Sequence, residues 1–364
     1  MSWFWVFVGF CLLIILHEAG HFFAAKATGM RVERFFLFFG PTIWSFKRGE
    51  TEYGVKSIPL GGYVKITGMN PEEEVPPEVA HRSYYRQDVW KRIVVIAAGP
   101  AVNILLAFVI LFGVYWANGQ EEILQSVGEV RKGTPAAKVL QPGDEIVAID
   151  GRRYSDLGTE ERLVKFGETV GAHKCAGKQV DGCVAATPVE IEVRRDGQLE
   201  NFSVYPRYDK EAKRALIGFS YGAENIEVGP ATATKEAGEA VWGAAEGTFH
   251  VFTHLFEEEQ REQVSGVVGI SDVGHQVIET GLERSLLLLA AVSLALGLVN
   301  LLPILPLDGG HIFWSLVEKL RGRPVSLRVM EKATAVGIAL VLMLFFLGLS
   351  NDIGRINGEG FEVR

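Results

Sequence analysis

"FCLLIILHEAGHFFAA", residues Phe10 to Ala25, decides how this chain is read. Two histidines and a glutamate interrupt an apolar run where a lipid-facing or dry-core helix is expected. An ionisable group at mid-bilayer costs about 3 kcal/mol on insertion scales, so such groups inside a span mark function rather than packing. On a helix, His17 and His21 are four apart and share one face, with Glu18 beside them. H-E-x-x-H is the pattern in which two imidazoles hold zinc and the glutamate takes a proton from the attacking water.

The rest of the chain supports a membrane setting. It has 364 residues, is 48% hydrophobic and carries a formal net charge of -8. The negative balance gives no reason to expect nucleic acid as a partner. The apolar residues concentrate in four stretches of span length, Ser2–Ala25, Ile93–Ala117, Ser285–Leu307 and Ala333–Ser350, as a hydrocarbon core of ~30 Å requires. The first is read as a retained span rather than a cleaved leader, because "MSWFWVF" has no basic residue and the chain runs on into "HEAGH". "NPEEEVPPE", from Asn70 to Glu78, reads as a solvated acidic loop.

Basic residues set the expected orientation. They crowd the connection after the first span (Lys26, Arg31, Arg34, Lys47, Arg48 and beyond) and the connection after the third (Lys319, Arg321, Arg323, Arg328, Lys332). Both connections are therefore expected to face the cytoplasm, with the termini and the long central domain outside. Cys11 falls within the first span. Cys175 and Cys183 fall in the outward domain, flanking "CAGKQVDGC". Compartment and spacing favour a disulfide over two free thiols.

A tetrahedral zinc site in a hydrolase takes three protein ligands and keeps one position open. The third ligand is sought in "VNLLPILPLDGGHIFW", where Asp308 is the carboxylate and Pro303 and Pro306 break helical hydrogen bonding. Broken backbone at membrane depth is tolerated where it lines a polar cavity. His17 lies about 22 Å along an inward-running first span and Asp308 near the inner end of the third, so both fall in the cytoplasmic part of the membrane.

"HEAGH" together with "NLLPILPLDGG" resembles the site-2 protease family of intramembrane zinc metalloproteases. "AAGPAVNILLA" in the second span is similar to that family's G-P-x-x-N element. "IPLGGYVKITG" is similar to its membrane re-entrant β-loop, as in the bacterial RseP-type branch. The resemblance spans essentially the whole chain. It implies one zinc per chain held by His17, His21 and Asp308, with Glu18 as the catalytic carboxylate. It also implies that Asn300 holds substrate backbone, and that Gly61, Gly62, Tyr63, Val64, Lys65 and Ile66 form the edge to which substrate adds as a strand. Where the family often has G-P-V-G-I, this chain reads "SGVVGI".

"TPAAKVLQPGDEIVAIDGRRY" resembles the helix-turn-strand core of bacterial PDZ domains, and "EIVAID", "VEIEVRRDG" and "NFSVYP" read as short strands between turns. The segment holding Cys175 and Cys183 reads as an insertion, with His173 at its surface. "AVWGAAEGTFHVFTHLFEEEQREQ" has Val241, Phe249, Phe252, Leu255 and Phe256 at helical spacing. It reads as an amphipathic helix at the outer membrane surface, with a helix packed on the PDZ domain as the other reading.

The expected fold is a polytopic α-helical membrane protein of about four transmembrane helices, with a membrane re-entrant β-loop and one extracytoplasmic PDZ domain (β-rich α+β). Residues 1–117 hold the first two spans and the β-loop. Residues 118–222 hold the PDZ domain, 223–284 the connecting helices, and 285–364 the last two spans and the tail. The expected activity is zinc-dependent cleavage within the transmembrane segment of single-pass membrane proteins, such as anti-sigma factors or remnant signal peptides, in a bacterial cytoplasmic membrane, with PDZ-gated access. The alternative is a non-catalytic PDZ-bearing membrane adaptor; the intact His17, Glu18, His21 and Asp308 argue against it. A metal transporter is a further rival, disfavoured by four spans and an attached peptide-binding domain.

Overall fold

The computed structural model describes residues 2–70, 73–210, 212–254 and 281–357. Leu255, Phe256, the "SGVVGI" segment and the end of the C-terminal tail lie outside the described residues. The chain divides into one unit of residues 1–117 and 229–364 and a second of residues 118–228.

The first unit is built on four helices apolar and long enough to cross a membrane. They are α1 (Ser2–Ala27), α2 (Val89–Asn118), α5 (Leu282–Asn300) and α7 (Leu327–Asn357). The third apolar run stops being helical at Asn300, not at Leu307. Pro303 and Pro306 cannot donate to a helical ladder, so residues 301–307 turn, and a separate helix α6 (Asp308–Arg321) begins at the carboxylate.

Small residues bring these helices together. A side-chain carbon at Gly20 of α1 would lie 2.5 Å from the carbonyl oxygen of Ala98 on α2. One at Gly297 of α5 would lie 3.0 Å from the carbonyl oxygen of Pro100. The Ser293 hydroxyl donates to the carbonyl oxygen of Asn103 at 2.9 Å. Such close approaches and hydroxyl bonds are how helices associate in lipid, where burial of apolar surface drives little.

Helix α4 (Pro230–Thr253) joins this bundle. Ala237, Ala240 and Val241 pack with Ala107 and Leu111 of α2 and Ala290 and Leu294 of α5. The expected surface helix is thus seated on the apolar helices through its alanines, while Trp242 and Phe249 stay exposed.

Between α1 and α2 runs a long hairpin, β1 (Val32–Arg48) and β2 (Thr51–Ile66). It bends back on itself: Trp44 pairs with Val55, and Phe36 pairs with both Gly54 and Tyr63. Four runs therefore lie side by side in the order 42–48, 51–56, 32–37 and 62–66, leaving 62–66 at an edge. The bends fall at Phe38, Gly40 and Gly61, all with positive φ. Phe39, Ile43, Trp44, Phe46 and Ile58 are exposed on the hairpin. At its base Glu50 accepts two hydrogen bonds from Arg82 at 2.7 and 2.8 Å and one from Lys26 at 2.7 Å.

The second unit is a five-stranded antiparallel sheet in the order β6-β5-β4-β3-β9. Its strands are β3 (Gln120–Val130), β4 (Glu145–Ile149), β5 (Val189–Arg195), β6 (Gln198–Val204) and β9 (Phe219–Ile226). Helix α3 (Thr159–Gly171) contributes Leu163 and Phe166 to a core with Ile146, Ile149, Val189, Ile191 and Val193. Asp196-Gly197 closes the β5–β6 hairpin with both φ positive, the two-residue turn that matches strand twist. Because β9 pairs with β3 as far as Ile226 against Gln120, this unit runs past the boundary at 222 expected from sequence. Buried Asp144 is held by Arg195 at 2.7 and 2.8 Å.

A small hairpin of β7 (Arg207–Asp209) and β8 (Arg214–Leu216) completes the unit. Cys175 and Cys183 lie at disulfide distance, their Cα atoms 6.2 Å apart. His173, read from sequence as a surface residue, is only 13% exposed: its Nε2 lies 2.8 Å from Asp150 Oδ2 and its Nδ1 2.9 Å from Thr187 Oγ1.

Candidate metal centre

The helical period of α1 puts His17 and His21 one turn apart on one face, with their Nε2 atoms 3.2 Å from each other. The break after α5 delivers Asp308 to the same point. Its Oδ2 lies 3.2 Å from His17 Nε2 and 3.4 Å from His21 Nε2. Among the described residues this is the one group of three such side chains close enough to share an ion. Ligands ~2.0–2.1 Å from a tetrahedral zinc lie about 3.3–3.4 Å from one another, and the three edges of this triangle match that spacing. Asp308 Oδ2 is buried with no hydrogen-bond partner of ordinary geometry among the described residues. Two imidazoles and a carboxylate are also zinc's usual donors, so the residues fit the ion.

The second helix prepares the site. His21 Nδ1 faces the carbonyl oxygen of Val95 at 2.8 Å. A carbonyl only accepts, so Nδ1 carries the proton and the lone pair is on Nε2, the atom aimed at the triangle. One turn on, Gly99 passes so close that a side-chain carbon there would collide with His21 Nε2 and lie 2.9 Å from His17 Nε2. The Asp308 side is built in the same way. A side-chain carbon at Gly309 would overlap the backbone of Leu301 and Leu302, and one at Gly310 would lie 2.5 Å from the backbone of Ile304 and Leu305. One at Gly337 of α7 would overlap the carbonyl oxygen of Leu305. Glycines therefore let the 301–305 turn clamp the first turn of α6, where the helix dipole favours a carboxylate. Buried Arg92 ties α6 to α2 through two hydrogen bonds to Glu318 at 2.6 and 3.1 Å.

Glu18 opens on the same cavity of about 400 Å³, with Gly61, Gly62, Tyr63, Val64, Ile66 and Asn300 in its walls. Val64 lines the cavity beside the Glu18 carboxylate, and Gly62 is so near that a side-chain carbon would sit 3.0 Å from Glu18 Cγ. The edge of the hairpin and the His17, His21 and Asp308 triangle thus share one space. Lys65 does not line this cavity. Its ammonium is held by Glu73 at 2.7 Å and Glu33 at 2.9 Å, beside an adjoining cavity. Cys175 and Cys183 belong to the other unit. Sequence reasoning missed Gly99, Gly337 and the Arg92–Glu318 pair. The small-residue run "AAGPA" in a span was the available signal for Gly99; nothing in the sequence marks the other two.

The family model described as peptidase family M50 matches residues 5–344. Zinc metalloprotease Rip1 of Mycolicibacterium smegmatis is 32% identical, over 93% of this chain and 94% of its own length. Putative zinc metalloprotease mll0638 of Mesorhizobium japonicum is 34% identical, over 94% of this chain and 95% of its own. Zinc metalloprotease Rip1 of Mycobacterium tuberculosis, strain H37Rv, is 31% identical over 93% and 94%.

Proposed function

The chain belongs to peptidase family M50 and is a zinc metalloprotease, and from that premise we propose that it cuts single-pass membrane proteins within their transmembrane segments. The observation that carries this reading is the single cavity shared by His17, His21, Asp308, Glu18 and the edge strand 62–66. In this reading His17, His21 and Asp308 hold one zinc ion per chain, which when bound supplies a Lewis acid for the scissile carbonyl and for water.

Glu18 accepts the proton of the attacking water and passes it to the departing amine nitrogen. A substrate helix has its own amides internally bonded, and opening it in lipid leaves each freed group unsatisfied at several kcal/mol. The outer edge of 62–66 offers those groups new partners by strand addition. Gly61 and Gly62 let the substrate backbone come close, and Asn300 supplies a side-chain amide at the same cavity. The exposed aromatic residues of the hairpin suit a β-loop dipped into the membrane.

The second unit is read as a PDZ domain bearing a disulfide-stapled insertion, facing away from the cytoplasm and restricting which substrates reach the site. Its antiparallel sheet, single helix α3 and the "QPGD" turn support that reading. The asymmetry of basic residues supports an active site toward the cytoplasmic side of a bacterial cytoplasmic membrane.

The deciding experiment uses Glu18→Gln, which keeps size and removes the basic carboxylate. Zinc content should stay at the parental level while cleavage of a membrane-spanning reporter in proteoliposomes falls by roughly 10²–10⁴. A Gln variant with parental turnover would refute the assignment of Glu18 and with it the proposed chemistry.

A further inference from the structure

Helix α6 has a face that the metal centre does not use. At about 100° per residue, Phe313, Leu316, Val317 and Leu320 fall on one side, and Lys319 and Arg321 flank that stripe on its two edges. Phe313, Leu316 and Leu320 are exposed, Leu320 at 88%. The opposite side is occupied: His311, Ser315 and Glu318 line a cavity with Arg92 and Tyr84.

This helix is not a span. Its 14 residues reach only about 21 Å, short of a hydrocarbon core of ~30 Å. Its level is fixed by the Arg92–Glu318 ion pair at 2.6 Å. Arg92 lies in the first turn of α2, and α7 starts at Leu327, just after α6 ends. The Glu318 end of α6 therefore sits beside the start of one membrane-spanning helix and just before the start of another, where hydrocarbon gives way to headgroups. The charge around it is one-sided. Lys319, Arg321, Arg323, Arg328 and Lys332 are exposed and form no ion pair among the described residues. Glu331 is the only acidic residue between Lys319 and Lys332.

We propose that α6 lies in the headgroup layer and binds anionic phospholipid, with Phe313, Leu316 and Leu320 in the acyl boundary and Lys319, Arg321 and Arg323 on lipid phosphates. An exposed apolar stripe with a basic rim has the chemistry of an interfacial helix, and each basic residue near an anionic surface adds attraction that neutral lipid does not supply. Seating α6 there also steadies the helix whose first residue is Asp308.

The test uses the full chain in phosphatidylcholine nanodiscs with and without phosphatidylglycerol. Native mass spectrometry of the released protein should show phosphatidylglycerol retained over phosphatidylcholine. The variant Lys319→Gln/Arg321→Gln/Arg323→Gln should lower that retention by about tenfold or more. Equal retention of the two lipids, or unchanged retention by the variant, overturns the proposal. A second measurement does not depend on how the triple variant folds. A spin label at Leu320→Cys, in a Cys11→Ser background, should report a depth at the headgroup–acyl boundary, and a label in bulk water overturns the proposal. Neither readout uses proteolysis, so failure here is distinct from failure of the catalytic assignment.

Discussion

Val95 and His21 are joined by a hydrogen bond of 2.8 Å from the imidazole Nδ1 to the backbone carbonyl. A main-chain atom of the second membrane helix thereby fixes which nitrogen of His21 on the first helix would be free for a metal. The same helix face supplies Gly99, whose missing side chain leaves the Nε2 atoms of His17 and His21 their space. The geometry of this candidate metal centre is therefore as much a property of α2 as of the H-E-x-x-H helix.

Gly99→Ala should abolish the site without disturbing the helix. Alanine is the better helix former by about 1 kcal/mol, but its methyl would fall on His21 Nε2. Zinc content should drop at least about tenfold, the size of effect that shell residues have on metal affinity. Gly113→Ala on the same helix has no atom within 4 Å of the added carbon and should keep full zinc. Elemental analysis of both variants, with helical content checked by circular dichroism, decides the point. Full zinc in Gly99→Ala would mean that α2 does not press on the site.

Val64 and Lys65 are neighbours on the edge strand with opposite assignments. Val64 lines the cavity beside Glu18, whereas the Lys65 ammonium is held by Glu33 and Glu73. Val64→Pro removes a backbone donor from the edge run at the cavity wall and should reduce cleavage by roughly tenfold at unchanged zinc, on the scale of one lost hydrogen bond to substrate. Lys65→Gln should leave cleavage within about threefold, because a half-exposed ion pair contributes little. Equal damage from both would show that the strand acts through the lysine side chain instead.

How far the sequence reaches can be judged residue by residue. His17 and His21 are legible as a pair because ionisable side chains in an apolar helix are costly enough to be conspicuous. Asp308 is legible from the proline-broken run that precedes it. The end of α5 at Asn300 is not, since composition stays apolar to Leu307 and only the backbone reveals the turn. Gly99 shows only as one member of the small-residue run "AAGPA", because its contribution is the absence of atoms. The seat of α4 misleads for a related reason. Large residues such as Phe249 draw the eye, but helices in this bundle approach through Ala237 and Ala240. The partners of Lys65, Glu33 and Glu73, lie on segments whose approach no local pattern announces.

Cys175 and Cys183 give a covalent test of the second unit. Folded protein, never exposed to reductant, should resist alkylation at both thiols and become doubly labelled there after reduction and unfolding. Closing so short a loop removes unfolded-state freedom worth about 2–3 kcal/mol in the chain-entropy account, so reduction should also lower the melting temperature of this unit by several degrees. Labelling of both cysteines before reduction would show that the staple does not form in the protein.

Acid should loosen the hairpin through Glu50. Hydrogen bonds from Arg82, and then from Lys26, hold its carboxyl at about 2, against an ordinary value of 4.5, despite a smaller opposing effect of burial. A depressed carboxyl favours the folded state only while it is ionised there and would be protonated less readily than in the unfolded chain. Its contribution is therefore complete above about pH 4.5 and is lost as pH falls from 4.5 through about 2. Glu33 and Asp144 are also held low, each by burial outweighed by its basic partner, Lys65 or Arg195, and by accepted hydrogen bonds, so the whole chain loses stability over part of the same range. The diagnostic quantity is the difference between parent and Glu50→Gln. The variant should be less stable at neutral pH and should show a shallower decline between pH 4.5 and 2, the two curves converging at the acid end. Hydrogen exchange of the amides of 32–37 and 51–56 across that range measures it locally, because those runs rest on the base that Glu50 ties to α1. Parallel curves for the two proteins would show that Glu50 is not the group whose protonation releases the hairpin.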